Sequence, residues 1–251
     1  TVVIEEAMRQ ASLKFSDLDA IAVTNRPGLI GSLLIGISAA KAYSFAYDLP
    51  LIPVNHIHAH LYSASFENKI EYPVLGLLIS GGHTLLTINN SVTDFKIVGS
   101  TIDDAVGEAF DKIARYLNLG YPGGPIIDNL AKKGNERAYS FPLVMLKPKD
   151  RYNFSYSGLK TAVVNFSKKY LNNGFEPTPE NISASFQRSA IEILYKKCKI
   201  LCKDTGINRI IISGGVACNS LLRNIFKNDN KLIVYLPSMK LCTDNAAMVA
   251  G

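Results

Sequence analysis

The sequence predicts a layered α/β fold with a mixed sheet, and three observations carry that expectation. Apolar strand-like runs alternate with helical stretches from Asp19 to Ala64, a β-α-β-α order typical of layered α/β proteins. Two apolar runs, Val74 to Ile79 and Thr84 to Ile88, flank a Ser-Gly-Gly-His turn and read as a tight hairpin. A β-branched run, Arg209 to Ile212, ends in a second Ser-Gly-Gly and feeds a helix. With 251 residues, 47% of them apolar, the chain can build one large domain or two medium ones around a real core.

In order, Val2 to Ala11 reads as a helix and Asp19 to Thr24 as a strand broken by Asn25-Arg26-Pro27-Gly28. Leu29 to Tyr47, rich in Ala, Leu and Ile, predicts a buried helix. Leu51 to Val54 predicts a short buried strand leading into a helix through Ala64. The hairpin and a third strand, Phe95 to Val98, give three antiparallel strands expected beside the parallel pair, hence the mixed sheet. Ile102 to Leu119 carries Val106, Phe110, Ile113, Ala114 and Leu117 at helical spacing, with Asp103, Asp104, Glu108 and Asp111 among its polar positions. Pro125 is placed to open a helix over Ile126 to Lys133. Arg137 to Ser155 reads as irregular and basic. Helices follow over Gly158 to Leu171 and Pro179 to Asp204, with a loop at 172–178 between them. After the Arg209 strand come a helix at Leu221 to Phe226, a strand at Leu232 to Leu236, and a last helix from Ala246 capped by Thr243 or Asp244. Two lobes are expected, 1–100 and 101–251, the second with a helical insert around 103–204.

The most pointed chemical signal is His56-Ile57-His58-Ala59-His60. On a helix, residues four apart share a face, so His56 and His60 point the same way and can hold one divalent metal, while His58 points elsewhere. Histidines in ordinary polar contacts at a helix start would look the same, and the pair needs a further ligand. The two Ser-Gly-Gly turns, Ser80 to Gly82 and Ser213 to Gly215, each follow a strand, where successive backbone N–H groups cradle anions. Together they suggest a nucleotide held between two lobes. Neither matches GxxxxGK[ST] or GxGxxG, which disfavours a P-loop or dinucleotide fold.

Composition narrows the classes further. The net charge of +6 suits a phosphate-rich partner. Lys132, Lys133, Arg137, Lys147, Lys149, Arg151 and Lys160 crowd one third of the chain against Asp128, Glu136 and Asp150, as expected of either a phosphate-tracking patch or a solvated face. The four cysteines form no CxxC pair, which fits a reducing compartment. No apolar run is long enough to span a membrane. The chain reads as a fragment cut at both ends.

An ordered set of motifs then identifies a family: His56-x-x-x-His60, Ser80-Gly-Gly-His-Thr84, Asp103 to Lys112 (DDAVGEAFDK), Tyr121-Pro-Gly-Gly-Pro125, Ser155 to Lys160 (SYSGLK), Gly214 to Asn219 (GGVACN) and Cys242-Thr-Asp-Asn245. The chain resembles the TsaD family, the tRNA adenosine threonylcarbamoyltransferases formerly called O-sialoglycoprotein endopeptidases, in its bacterial or mitochondrial branch. The resemblance implies an actin-like, sugar-kinase-like ATPase fold with mixed sheets around a nucleotide cleft. It implies a divalent metal, iron first and zinc second, on His56, His60 and Asp244. It implies threonylcarbamoyl adenylate or ATP as nucleotide ligand, contacted by Leu78, Ile79, Ser80, Gly81, Gly82, Asp111, Gly124, Asp128 and Asn219, with Glu108 as a further polar contact. The implied reaction moves the threonylcarbamoyl group to the exocyclic amine of the adenosine 3′ of the anticodon in ANN-reading tRNAs, with no residue assigned as base. Implied partners are tRNA and TsaB-like and TsaE-like subunits, in the cytoplasm or, in a eukaryote, the mitochondrial matrix. Full members open with a strand and a Gly-Ile-Glu-Ser-Ser-like phosphate segment expected to precede Thr1. A sugar- or acetate-kinase-like enzyme would leave the histidine pair unexplained. A zinc protease lacks its HExxH glutamate, since Ile57 follows His56. An inactive scaffold fragment is the remaining alternative.

Overall fold

The computed structural model describes residues 2–144, 147–172 and 177–251. Part of the expected irregular segment (Met145, Leu146) and of the expected loop (173–176) lies outside the described residues. Contacts divide the chain into two units, Thr1–Ser63 with Asn245–Gly251, and Ala64–Asp244. Residues 64–100, grouped by sequence with the first hundred, thus pack within the larger unit.

In the smaller unit, α1 (Val2–Ala11) precedes β1 (Ile21–Arg26), α2 (Ile30–Tyr47), β2 (Leu51–Asn55) and α3 (His56–Tyr62). β1 and β2 form a two-stranded parallel sheet in the register Ile21↔Leu51 to Thr24↔Val54. The expected burial of α2 is corrected: only Ala40 is buried, while Ile30 is 84% and Phe45 91% exposed. The reason is geometric. α2 is apolar all round, but two strands cover one side of a helix only. The expected buried strand at 51–54 is likewise exposed at Ile52 and Pro53. α3 begins abruptly because the Asn55 side chain accepts the amide hydrogens of Ile57 (2.9 Å) and His58 (3.4 Å).

The larger unit is built on one mixed sheet. β3 (Val74–Ile79), β4 (Thr84–Asn89) and β5 (Phe95–Ser100) are antiparallel neighbours, and the full order is β5-β4-β3-β6-β7, with β6 at Arg209–Ser213 and β7 at Ile233–Tyr235. The mixed character expected from the β1–β2 pair comes instead from β6 and β7. β6 runs parallel to β3 from Leu75↔Ile210 to Leu78↔Ser213, and β7 runs parallel to β6. β3 has no exposed residue, as befits a central strand covered on both faces.

The helices are α4 (Val106–Tyr116), α5 (Gly123–Ala131), α6 (Ser157–Asn172), α7 (Pro179–Thr205) and α8 (Ser220–Lys227), with short turns of helix α9 (Met239–Cys242) and, back in the smaller unit, α10 (Ala247–Ala250). Phe110, Phe186, Tyr156, Leu77, Ile212 and Phe226 anchor one continuous core. α4 starts four residues later than its periodicity suggests. Asp103 and Asp104 are drawn into side-chain bonds, and Val106 N–H donates to Thr84 Oγ1 at 2.8 Å. α5 starts three residues earlier than Pro125 suggests, because Gly123 N–H donates to Asp111 Oδ1 at 2.7 Å. At α10, Asn245 rather than Thr243 or Asp244 accepts the Met248 amide, at 2.9 Å.

Candidate nucleotide pocket and histidine pair

The larger unit contains a pocket of about 540 Å³ whose wall includes Gly81, Gly107, Asp111, Gly124, Asp128 and Asn219. Three helix starts meet there: Gly107 at the start of α4, Gly124 at the start of α5, and Asn219 immediately before α8. Helix N-termini carry the positive end of the dipole, which favours an anion; the leading amides of Val106, Gly123 and Leu222 are already taken by Thr84, Asp111 and Asn219.

The first Ser-Gly-Gly turn is tightly self-bonded. Ser80 N–H donates to the His83 carbonyl (2.8 Å), and Ser80 Oγ accepts from His83 N–H (3.0 Å) and Gly82 N–H (3.3 Å). Of the expected residues of this turn, Gly81 reaches the pocket wall; Leu78 and Ile79 are fully buried in β3. The second turn is opened by Gly214, whose φ of 92° is the left-handed backbone that glycine adopts without strain. Gly215, Val216, Cys218 and Asn219 then line the pocket.

The polar residues on the wall are also structural. Asn219 Oδ1 accepts Leu222 N–H at 3.0 Å, capping α8, and its Nδ2 donates to buried Gln187 Oε1 at 2.8 Å. Asp128 Oδ1 accepts the Ser220 hydroxyl at 2.7 Å, with Lys132 Nζ 3.6 Å from its other oxygen. Glu108, expected beside Asp111, pairs with Lys112 at 2.8 Å and is not on the wall. Met239 is on the wall without having been singled out by sequence, and Tyr121, Lys132 and Thr243, read there as part of a motif, of the basic stretch and as a helix cap, are on it too. Met239 and Thr243 lie 24 and 28 residues beyond the second glycine turn, a proximity that no local pattern announces.

Beside the pocket, the chain around Ser155 is strapped to the start of α4. Asp103 accepts from the Ser155 and Ser157 hydroxyls (2.5 and 2.6 Å) and the Tyr156 amide (2.8 Å). Burial would raise its carboxyl, but these bonds together hold it below its ordinary value. Asp104 bonds Lys112 (2.6 Å) and Lys160 (2.7 Å). It too is held low against burial, and the Lys112 ammonium is held well above its ordinary value. Lys160 is therefore committed to Asp104, and Arg151 lies 3.1 Å from Asp204, so neither is a freely solvated member of the basic stretch.

In the smaller unit, His56 and His60 stand edge to face on α3 with ring centroids 4.6 Å apart, and His60 is buried. Two imidazoles at that separation suit a single ion with metal–nitrogen bonds of about 2.0–2.1 Å. His58 is half-buried, and burial lowers its imidazole pKa. Asp244 is the last residue of the larger unit, and Asn245 begins the segment that returns to the smaller one.

The family model TsaD, described as tRNA N6-adenosine threonylcarbamoyltransferase, matches residues 1–251. The chain belongs to the TsaD family. Proteins named tRNA N6-adenosine threonylcarbamoyltransferase from Brachyspira hyodysenteriae and Treponema denticola are 54% and 50% identical to it, over 99% of this chain and 73% and 74% of their own lengths. The Staphylococcus epidermidis protein of that name is 50% identical over 100% of this chain and 74% of its own. Among solved structures, full-length HypF in its phosphate- and nucleotide-bound form superposes with a TM-score of 0.71 at 20% identity, over 96% of this chain and 47% of HypF. The Acidaminococcus fermentans (R)-2-hydroxyglutaryl-CoA dehydratase component A does so with a TM-score of 0.56 at 17% identity, over 98% and 77%. At these identities the likeness speaks for the fold alone, the actin-like, sugar-kinase-like ATPase fold. Among the described residues, no helix of this TsaD-family chain is long and apolar enough to cross a membrane.

Proposed function

We propose that this chain transfers the threonylcarbamoyl group from threonylcarbamoyl adenylate to the N6 amine of the adenosine 3′ of the anticodon in ANN-reading tRNAs. The family match over 1–251 supports the transfer to tRNA. The observation that carries the adenylate reading is the pocket in which Gly81, Asp111, Gly124, Asp128 and Asn219 share one wall. The three helix starts on that wall suit the phosphate of an adenylate. Asp111 uses Oδ1 to hold Gly123, leaving its second oxygen to accept a ribose hydroxyl. Asn219 and Asp128, already bonded to Gln187, Leu222 and Ser220, present a preorganised edge rather than a mobile one.

The reaction forms a bond between the adenosine N6 and the carbamoyl carbon, breaks the carbon–oxygen bond to phosphate, releases AMP, and gives up one N6 proton to solvent. The positive ends of the three helix dipoles on the wall favour the leaving phosphate while its negative charge grows. By chemical type, the two imidazoles of His56 and His60 on α3 and the carboxylate of Asp244 make a donor set that would suit one divalent ion, iron first and zinc second. When bound there, such an ion supplies Lewis acidity to the carbamoyl carbonyl. TsaB-like and TsaE-like partner subunits and a cytoplasmic setting complete the proposal.

Depleting the full-length protein from cells and analysing their tRNA nucleosides by mass spectrometry tests it. Threonylcarbamoyladenosine should disappear; its persistence at wild-type level would refute the assignment.

A further inference from the structure

We propose that Arg223 is a positioning residue, whose guanidinium ties the second glycine turn to the segment carrying Met239 and Thr243 and so joins two parts of the pocket wall. The naming of the ligand as an adenylate rests on the function proposed above; the tie itself does not.

Arg223 is absent from the pocket wall, yet it bonds both of these elements. Its Nε donates to the Ala217 carbonyl at 2.8 Å, inside the turn that supplies Gly215, Val216, Cys218 and Asn219. One Nη donates to the Pro237 carbonyl at 2.7 Å and lies 3.2 Å from Cys242 Sγ. Pro237 and Cys242 bracket α9, which carries Met239; Thr243 follows directly, and Asp244 is one residue further. The base of the arm is rigid, since α8 is capped by Asn219 and buries Leu222 and Phe226.

The far segment is short, and besides Arg223 it is held by Cys242, which is fully buried in the core. α9 is four residues long, too short to be stable by its own hydrogen bonds. Its polar ties include Ser238 N–H to Glu67 at 2.6 Å, Leu241 N–H to Ser238 O at 2.9 Å, the Cys242 thiol to Pro237 O at 3.5 Å and the Cys218 thiol to Met239 O at 3.8 Å. A planar guanidinium can serve the two carbonyls and the sulfur at once from one fixed fork, which an ammonium cannot. Cys218 reports on the joint, because it lines the pocket and touches the Met239 carbonyl.

The test compares wild type, R223Q and R223K in the full-length chain with its partner proteins. AMP affinity is measured by calorimetry, Cys218 alkylation by iodoacetamide is followed by peptide mass spectrometry, and KM is measured separately for adenylate and tRNA. R223Q should bind AMP at least tenfold more weakly and raise KM for adenylate with KM for tRNA unchanged; at high pH, where Cys218 is thiolate in every variant, it should alkylate there at least threefold faster without nucleotide. R223K, which stays charged but loses the fork, should fall between the two in affinity and alkylation, and carries the test if R223Q does not fold. Wild-type affinity and alkylation rate in R223Q, or in R223K if that alone folds, would overturn the proposal. So would equal rises in both KM values, the mark of general loosening. If wild type itself binds no AMP while the variants still alkylate faster, the adenylate reading fails and the tie stands.

Discussion

Gly107→Ala is a sharp perturbation of the pocket, because the space for its methyl is already taken. A Cβ at Gly107 would sit 2.5 Å from Ser80 O, 2.8 Å from Ser80 C and 2.9 Å from Gly81 Cα. All three are backbone atoms of the first glycine turn, which is clamped by its own hydrogen bonds and cannot rotate away. Reaching an ordinary separation of 3.4 Å means moving the turn and α4 apart by roughly 0.9 Å. Overpacking against backbone costs about 3 kcal/mol, and alanine's better helix propensity returns at most ~1 kcal/mol. The net loss of about 2 kcal/mol lowers Tm by about 4–8 °C in a chain of this size. Gly124→Ala is the matched contrast. Its Cβ meets nothing within 4 Å, so helix propensity should leave Tm unchanged or raise it slightly, although Gly124 lines the same pocket. Differential scanning calorimetry with AMP titration separates the two: G107A loses both stability and affinity, G124A affinity alone. A G107A Tm within a degree of wild type, with AMP affinity intact, would refute the claim that close backbone approach shapes this wall.

Other substitutions probe the remaining parts of the site. Asp111→Ala should weaken binding of a stable adenylate analogue by about 1.5–3 kcal/mol, because charge-assisted hydrogen bonds are removed, and equal calorimetric affinity would return Asp111 to its role of holding Gly123. His60→Ala should empty the proposed metal site by elemental analysis while His58→Ala keeps it; unchanged stoichiometric metal in the first ends that idea. Asp103 and Asp104 are held below the ordinary value of 3.8, so their stabilisation is complete above it and is lost as pH falls through their lower folded values. Tm followed from pH 6 to 3 should fall less steeply in Asp103→Asn than in wild type, and identical slopes would count against the strap. Reversing Lys147 and Lys149 to glutamate, and leaving Arg151 on Asp204, should flatten log tRNA affinity against log salt by about 0.7–0.9 for each phosphate no longer neutralised, with AMP affinity unchanged. An unaltered slope would place the tRNA path elsewhere.

Local pattern was enough for much of this chain. Apolar periodicity placed β3, β4, α4 and α7 to within a few residues, because each buries one stripe or both faces, and burial writes itself into spacing. The histidine pair was legible for the same reason, since four-residue spacing on a helix is itself a statement about geometry. The family followed from motifs read in order, and with it the glycines and carboxylates that now share a pocket wall. What remained hidden was whatever depends on a partner distant in sequence. Asp103 reads as part of a helix until Ser155 and Ser157, more than 50 residues on, take its carboxylate and delay α4. Lys160 reads as part of an RNA-facing patch until Asp104 claims it. α2 reads as buried because its composition is apolar, but burial is a property of what lies against a helix, and two strands shield only one side. Arg223 carries no motif. Its reach to Pro237 and Cys242 exists only because α8 and α9 fold to the same end of the sheet, and tertiary structure alone decides which carbonyl a guanidinium meets.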